Sequence, residues 1–102
     1  MRKVRAMKPS EAMRLHRDTI WQVVEANAAR NPRVFGSALR GTDTDKSDLD
    51  ILVDGTAQLT LLKLARISRL LESLLGVSVD VLTPEDLPKS FRETVLTEAV
   101  SI

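Results

Sequence analysis

Cysteine is absent from this 102-residue chain, so disulfides and thiolate metal sites are excluded. Histidine occurs once, as His16, which rules out a His-based metal cluster. Aromatic residues are scarce: Trp21, Phe35 and Phe91, with no tyrosine. Two of the three are expected in the core, which leaves no platform for stacking nucleobases, and direct nucleic-acid binding is not expected. No apolar run approaches the roughly 20 residues of a membrane-spanning helix. The N-terminus, MRKVRAMKPS, lacks the apolar segment of a secretory signal. No membrane association and a cytoplasmic location are the expectations. Internal repeats, linkers and low-complexity tracts are missing too, so residues 1–102 read as a single domain with one modest core.

Hydrophobic residues make up 43% and charged residues 28%, the balance of a globular rather than a disordered chain. The net charge of +1 hides a split. Residues 1–40 carry nine Lys or Arg against three Asp or Glu, and residues 41–102 carry six against eleven. A basic surface facing phosphates and an acidic pocket holding cations would give such a split, and so would helix faces that differ in sign.

Pro9 or Ser10 can start a helix through EAMRLHRDTIWQVVEANAAR that stops before Asn31-Pro32, an N-terminal helix over about 10–30. Met13, Ile20, Val23 and Val24 recur at helical spacing and face inward, with His16 on the same stripe as a partly buried, hydrogen-bonded side chain. A core of about 30–100 follows. RVFGS (33–37) is a short strand ending at glycine, ALRG a helical turn, TDTDKS (42–47) a polar loop and DLDILVD (48–54) a strand broken by Gly55. Residues 59–75 form an amphipathic helix with Leu64, Ile67, Leu71, Leu74 and Leu75 on one side, and Gly76 suits its C-terminus. VSVDVLT (77–83) alternates as a strand with Asp80 opposite its valines. Thr83 and Pro84 open a turn or short helix, and a last helix covers Pro88 to about Ala99 with Phe91 and Val95 inward. The order α-β-β-α-β-α gives an α/β fold, a small mixed sheet covered by helices.

Two carboxylates, Asp48 and Asp50, open the most apolar short run of the chain. Taken singly, each has an ordinary structural reading: a turn residue, or the exposed face of an edge strand. Two apart on a strand, they project to one face, and their repulsion costs stability unless a cation lies between them. Hard divalent ions such as Mg²⁺ bind through carboxylates plus substrate phosphate. A β-α-β crossover would set Asp80 beside them, and three acids on adjacent strands suit two metal ions about 3.5–4 Å apart in phosphoryl displacement. Gly36-Ser37 then gains a role, because backbone N–H groups at a glycine turn cradle phosphate and the serine hydroxyl can donate. Arg40 and Lys46 could add positive charge there, or be solvated surface residues.

Gly36-Ser37, ten intervening residues and Asp48-Leu49-Asp50 match the G-S-x10-D-x-D signature of the DNA polymerase β-like nucleotidyltransferases. The fuller FGSALRG…SDLDILVD resembles that superfamily's minimal nucleotidyltransferases (MNT), over roughly residues 30–100. The resemblance implies that Asp48 and Asp50 bind Mg²⁺, two ions being expected. It implies that Asp80 completes the site beside the acceptor hydroxyl and assists its deprotonation, and that Gly36 and Ser37 hold the triphosphate of ATP or another NTP. It implies transfer of a nucleoside monophosphate with loss of pyrophosphate. Small members of this kind are paired with a HEPN-domain toxin, on which the MNT antitoxin adenylylates a tyrosine. Two alternatives stay open: neutralisation of the partner by binding alone, and transfer to RNA or a small molecule. For RNA, the basic Arg2, Lys3, Arg5 and Lys8 give slight support.

Overall fold

A computed structural model describes residues 7–102, so the basic positions Arg2, Lys3 and Arg5 lie outside the described residues. Helices α1 (Pro9–Leu15) and α2 (Arg17–Ala26) lead into β1 (Ala29–Phe35), α3 (Gly36–Arg40) and β2 (Leu49–Gly55). Helix α4 (Leu61–Leu75), β3 (Val79–Leu82), a 3-10 turn (Pro84–Asp86), α5 (Lys89–Glu98) and β4 (Val100–Ser101) complete the chain. The sheet order is β3-β2-β1-β4; β2 and β3 run parallel, joined by α4, and the other pairs are antiparallel. This is the expected mixed sheet covered by helices. Among the described residues no helix is long and apolar enough to cross a membrane.

The sheet has two unlike faces. Strand alternation sends Leu49, Ile51 and Val53 of β2, Val34 of β1, and Val79 and Val81 of β3 to one face, where they are buried against Ile20 and Val24 of α2 and Ile67, Leu71 and Leu75 of α4. Each fully buried aliphatic chain of this kind contributes roughly 1.5–3 kcal/mol. The other face carries Asp50, Leu52 and Asp54. There only a local cover forms, where the 3-10 turn packs on β2 and both Leu52 and Leu87 are buried.

Helix α4 follows its sequence signals closely. Thr60 caps it, its side chain accepting from the Lys63 amide at 3.2 Å, and Gly76 ends it at φ +75. Leu74, expected inward, is 52% exposed, because the buried stripe runs through Ile67, Leu71 and Leu75.

The N-terminal region differs more from expectation. The single helix over about 10–30 is two helices, broken at His16 and finished at Asn27. His16 is half-buried at that break, and among the described residues its imidazole makes no hydrogen bond. Asn31-Pro32, which reads as a helix stop, lies inside β1. The register with β2 jumps between Arg30 and Arg33, a bulge that tolerates a proline with no amide to give. Asn31 takes φ +57 there, a left-handed conformation that asparagine accepts more readily than most residues.

Two features of the C-terminal region also differ. Phe91, expected inward, is 46% exposed, and α5 has no buried residue. Arg92 fastens that helix instead, donating to the carbonyls of Glu85 at 3.2 Å and Leu87 at 2.9 Å. Strand β4 was not foreseen; two residues are too few to show a period, and it exists because β1 offers an edge.

Candidate active site

β1 ends where β2 and β3 begin, and this gathers the motif. Asp50 pairs with Phe35 of β1 on one side and with Asp80 of β3 on the other, so the three form one row across the sheet. Paired residues project to the same face, here the open one. Asp48 stands two residues before Asp50, immediately ahead of β2, and is exposed, as is Asp80.

Gly36 turns the chain out of β1 at φ +73, and a Cβ placed on it would collide with the Asp50 carboxylate, whose Cγ would lie only 3.3 Å away. Only glycine permits this approach. The Gly36 backbone therefore lies directly against Asp50. Ser37, half-buried in the first turn of α3, accepts the Thr42 amide on its carbonyl at 3.1 Å; among the described residues its hydroxyl has no hydrogen bond.

Electrostatics mark Asp50 out. Burial pushes its carboxyl up to about 6, the carboxylates of Asp80 and then Asp48 push in the same direction, and Arg40 opposes them. Three acids and Arg40 thus feel one another at a single place. Lys46 does not join them: it is exposed on the 42–47 loop and lines an open groove of about 530 Å³ with Ser47, Glu72, Gly76 and Ser78.

Among the described residues no three His, Cys, Asp or Glu side chains form a ready-made ligand set. Repulsion keeps bare carboxylates apart, and they converge when a cation lies between them. The donor chemistry fits a hard divalent cation, because all three groups are oxygen ligands, and burial together with the charge of the other two holds the proton on Asp50 more tightly than on an ordinary carboxylate.

Three features of the site and its surroundings were not legible in sequence. Phe35 shares the row of Asp50 and Asp80 on the open face, half-buried, whereas two of the three aromatic residues were expected in the core. Asp43 lies in a loop read only as polar, yet it is buried and clamps α1, accepting from the Ser10 amide at 2.8 Å and the Ser10 hydroxyl at 3.1 Å. Burial opposes its ionisation, but these hydrogen bonds outweigh burial and lower its pKa. Ser10 is thus held from 33 residues away and is not itself the cap, which is Lys8. At the far end of the open face, Asp54 accepts from Arg33 at 2.7 Å and Asn31 at 2.9 Å. Only folding sets these partners together.

A carboxylate row beside a glycine-serine turn, on a mixed sheet, points to the class: this is a nucleotidyltransferase. The family model for the nucleotidyltransferase domain matches residues 19–102, and the chain belongs to that family. It is 40% identical over 78 residues to the protein adenylyltransferase MntA of Thermococcus cleftensis, covering 76% of this chain and 79% of that one. A solved structure described as a minimal nucleotidyltransferase superposes with a TM-score of 0.81 at 40% identity, over 91% of this chain and 95% of the other. A toxin–antitoxin structure with AMP-PNP shares the fold at a TM-score of 0.70 and 23% identity, over 82% of this chain and 69% of the other.

Proposed function

We propose that this chain is a Mg²⁺-dependent, cytoplasmic protein adenylyltransferase that moves AMP from ATP to a hydroxyl of a partner protein, as the antitoxin of a HEPN ribonuclease toxin. The observation that carries this reading is the register of Asp50 with Asp80 beside the Gly36 turn. The relative from Thermococcus cleftensis is named for protein adenylylation, and a fold neighbour is an MNT antitoxin with a tri-AMPylated HEPN toxin.

In this reading Gly36 and Ser37 bind the triphosphate through main-chain N–H groups and the free serine hydroxyl, and Arg40 adds charge. Asp48, Asp50 and Asp80 would hold Mg²⁺, which when bound neutralises charge on the phosphates. Asp80 stands beside the acceptor and takes its proton. The acceptor oxygen forms a bond to the α-phosphorus while the bond to pyrophosphate breaks. Catalysis of this type is mostly positioning and electrostatics. These 102 residues include no tyrosine, so a tyrosyl acceptor lies outside this sequence.

The test is transfer of label from α-labelled ATP to the product of the adjacent reading frame, which this reading expects to be a HEPN protein. Transfer is expected with wild type and Mg²⁺, and loss of about a thousandfold or more with the Asp48→Asn/Asp50→Asn double variant. Undiminished transfer by that variant, or none by wild type, would sink the proposal. Neutralisation by masking has one observation in its favour: α4 exposes Leu61, Leu62, Leu70 and Leu74. Full protection of cells by an Asp50→Ala variant would favour it.

A further inference from the structure

Asp80 occupies an exposed position on a strand of only four residues at the edge of the sheet. Short edge strands fray, and a frayed β3 would lose its register with Asp50. Two side chains of α4 stand against that. The Ser68 hydroxyl donates to the Val79 carbonyl at 2.6 Å, and Glu72 Oε2 accepts from the Val79 amide at 3.1 Å. Both polar groups of the residue directly before Asp80 are thereby fixed by one helix.

The geometry favours this arrangement. Ser68 and Glu72 are four apart on α4 and so lie one above the other on a single helical face. The Leu49 amide donates to the Ser78 carbonyl at 2.8 Å, so Ser78 and, two residues on, Asp80 turn their main chains toward β2. Val79 turns its own outward, to the edge where no strand follows. Without the helix these groups would be unpaired beside a buried valine side chain.

We propose that Ser68 and Glu72 are positioning residues for the nucleotidyl transfer. By holding both the N–H and the C=O of Val79, they fix where Asp80 stands relative to Asp50. This rests on the reading that Asp80 completes the active site. Among the described residues neither side chain hydrogen-bonds to Asp50 or Asp80, and the sequence motif includes neither.

The experiment compares Ser68→Ala, Glu72→Ala and Glu72→Gln with wild type, in the full chain with its HEPN partner. Supporting outcomes are a fall of about tenfold or more in kcat with Glu72→Ala at an unchanged KM for ATP, recovery with Glu72→Gln, which retains an acceptor oxygen, and a raised Mg²⁺ requirement. Amide exchange on the free chain gives a readout independent of activity. Faster exchange confined to Val79–Val81, with α2 and β1 unchanged, supports the clamp. Wild-type kcat in both alanine variants, or acceleration spread evenly over all strands, overturns it. If wild type itself transfers no AMP, the functional reading falls while the exchange data still decide the clamp.

Discussion

Asp50 and Asp54 lie on the same strand and the same face of the sheet, four residues apart, in opposite surroundings. Asp54 is satisfied: the hydrogen bond from Asn31 leads, burial works against it, and Arg33 both donates and lends its charge, so its pKa is lowered. Asp50 is crowded: burial and two further carboxylates raise its pKa to about 6. One end of the open face therefore stabilises the fold, and the other is held at a cost to it. Such a cost marks a site arranged to receive positive charge.

The sharpest way to break this comparison is at Gly36. Gly36→Ala should cut AMP transfer about a hundredfold, because its Cβ displaces the Asp50 carboxylate. Gly41 has the same backbone conformation, φ +74, but open space around it. Gly41→Ala should carry only backbone strain of roughly 1 kcal/mol and keep the transfer rate within about twofold. Equal rate losses in the two variants would show that strain, not the Asp50 contact, matters.

The opposite end should respond in the opposite currency. Asp54→Ala leaves the Arg33 guanidinium without its carboxylate, and its buried Nε already has no partner. A loss of about 1–2 kcal/mol in urea unfolding is expected, with transfer unchanged. A large fall in activity at full stability would erase the distinction between the two ends.

The smallest effect concerns Asp50 itself in metal-free protein. Its folded pKa near 6 lies above the ordinary 3.8, so its contribution favours folding at low pH and is lost as pH rises through 6. Asp50→Asn should stabilise the metal-free chain by no more than about 1 kcal/mol at about pH 8, discounted for the solvent that reaches this half-buried group, and by next to nothing at about pH 3, below both pKa values. Thermal melts at the two pH values measure it, and an equal shift at both would contradict the electrostatic account.

Much of the site could be read from the chain. Gly36-Ser37 and Asp48-Leu49-Asp50 are local signals, and Asp80 followed from the parallel crossover that the strong helix after β2 implied. The fold class came from the same periodicities. Less legible was the N-terminal third, where Asn31-Pro32 looks like a stop but sits in a bulge that exists only against β2. Lys46, read as a phosphate candidate from its distance along the chain, lies in a neighbouring groove. Phe91 seemed apolar enough for the core, yet α5 is held by Arg92 and buries nothing fully.

By itself the sequence determined what depends on neighbours along the chain: turns, caps, alternation, and the residue types needed to bind phosphate and a hard cation. Tertiary structure alone decided what depends on distant partners. It raised the Asp50 pKa by burying that carboxyl and setting Asp80 in register with it, lowered that of Asp54 through Asn31 and Arg33, and placed Ser68 and Glu72 on the Val79 main chain. The physical reason is range. Hydrogen-bonded turns and strand alternation act over a few residues, whereas charge and burial act through space, and only the folded sheet fixes those separations.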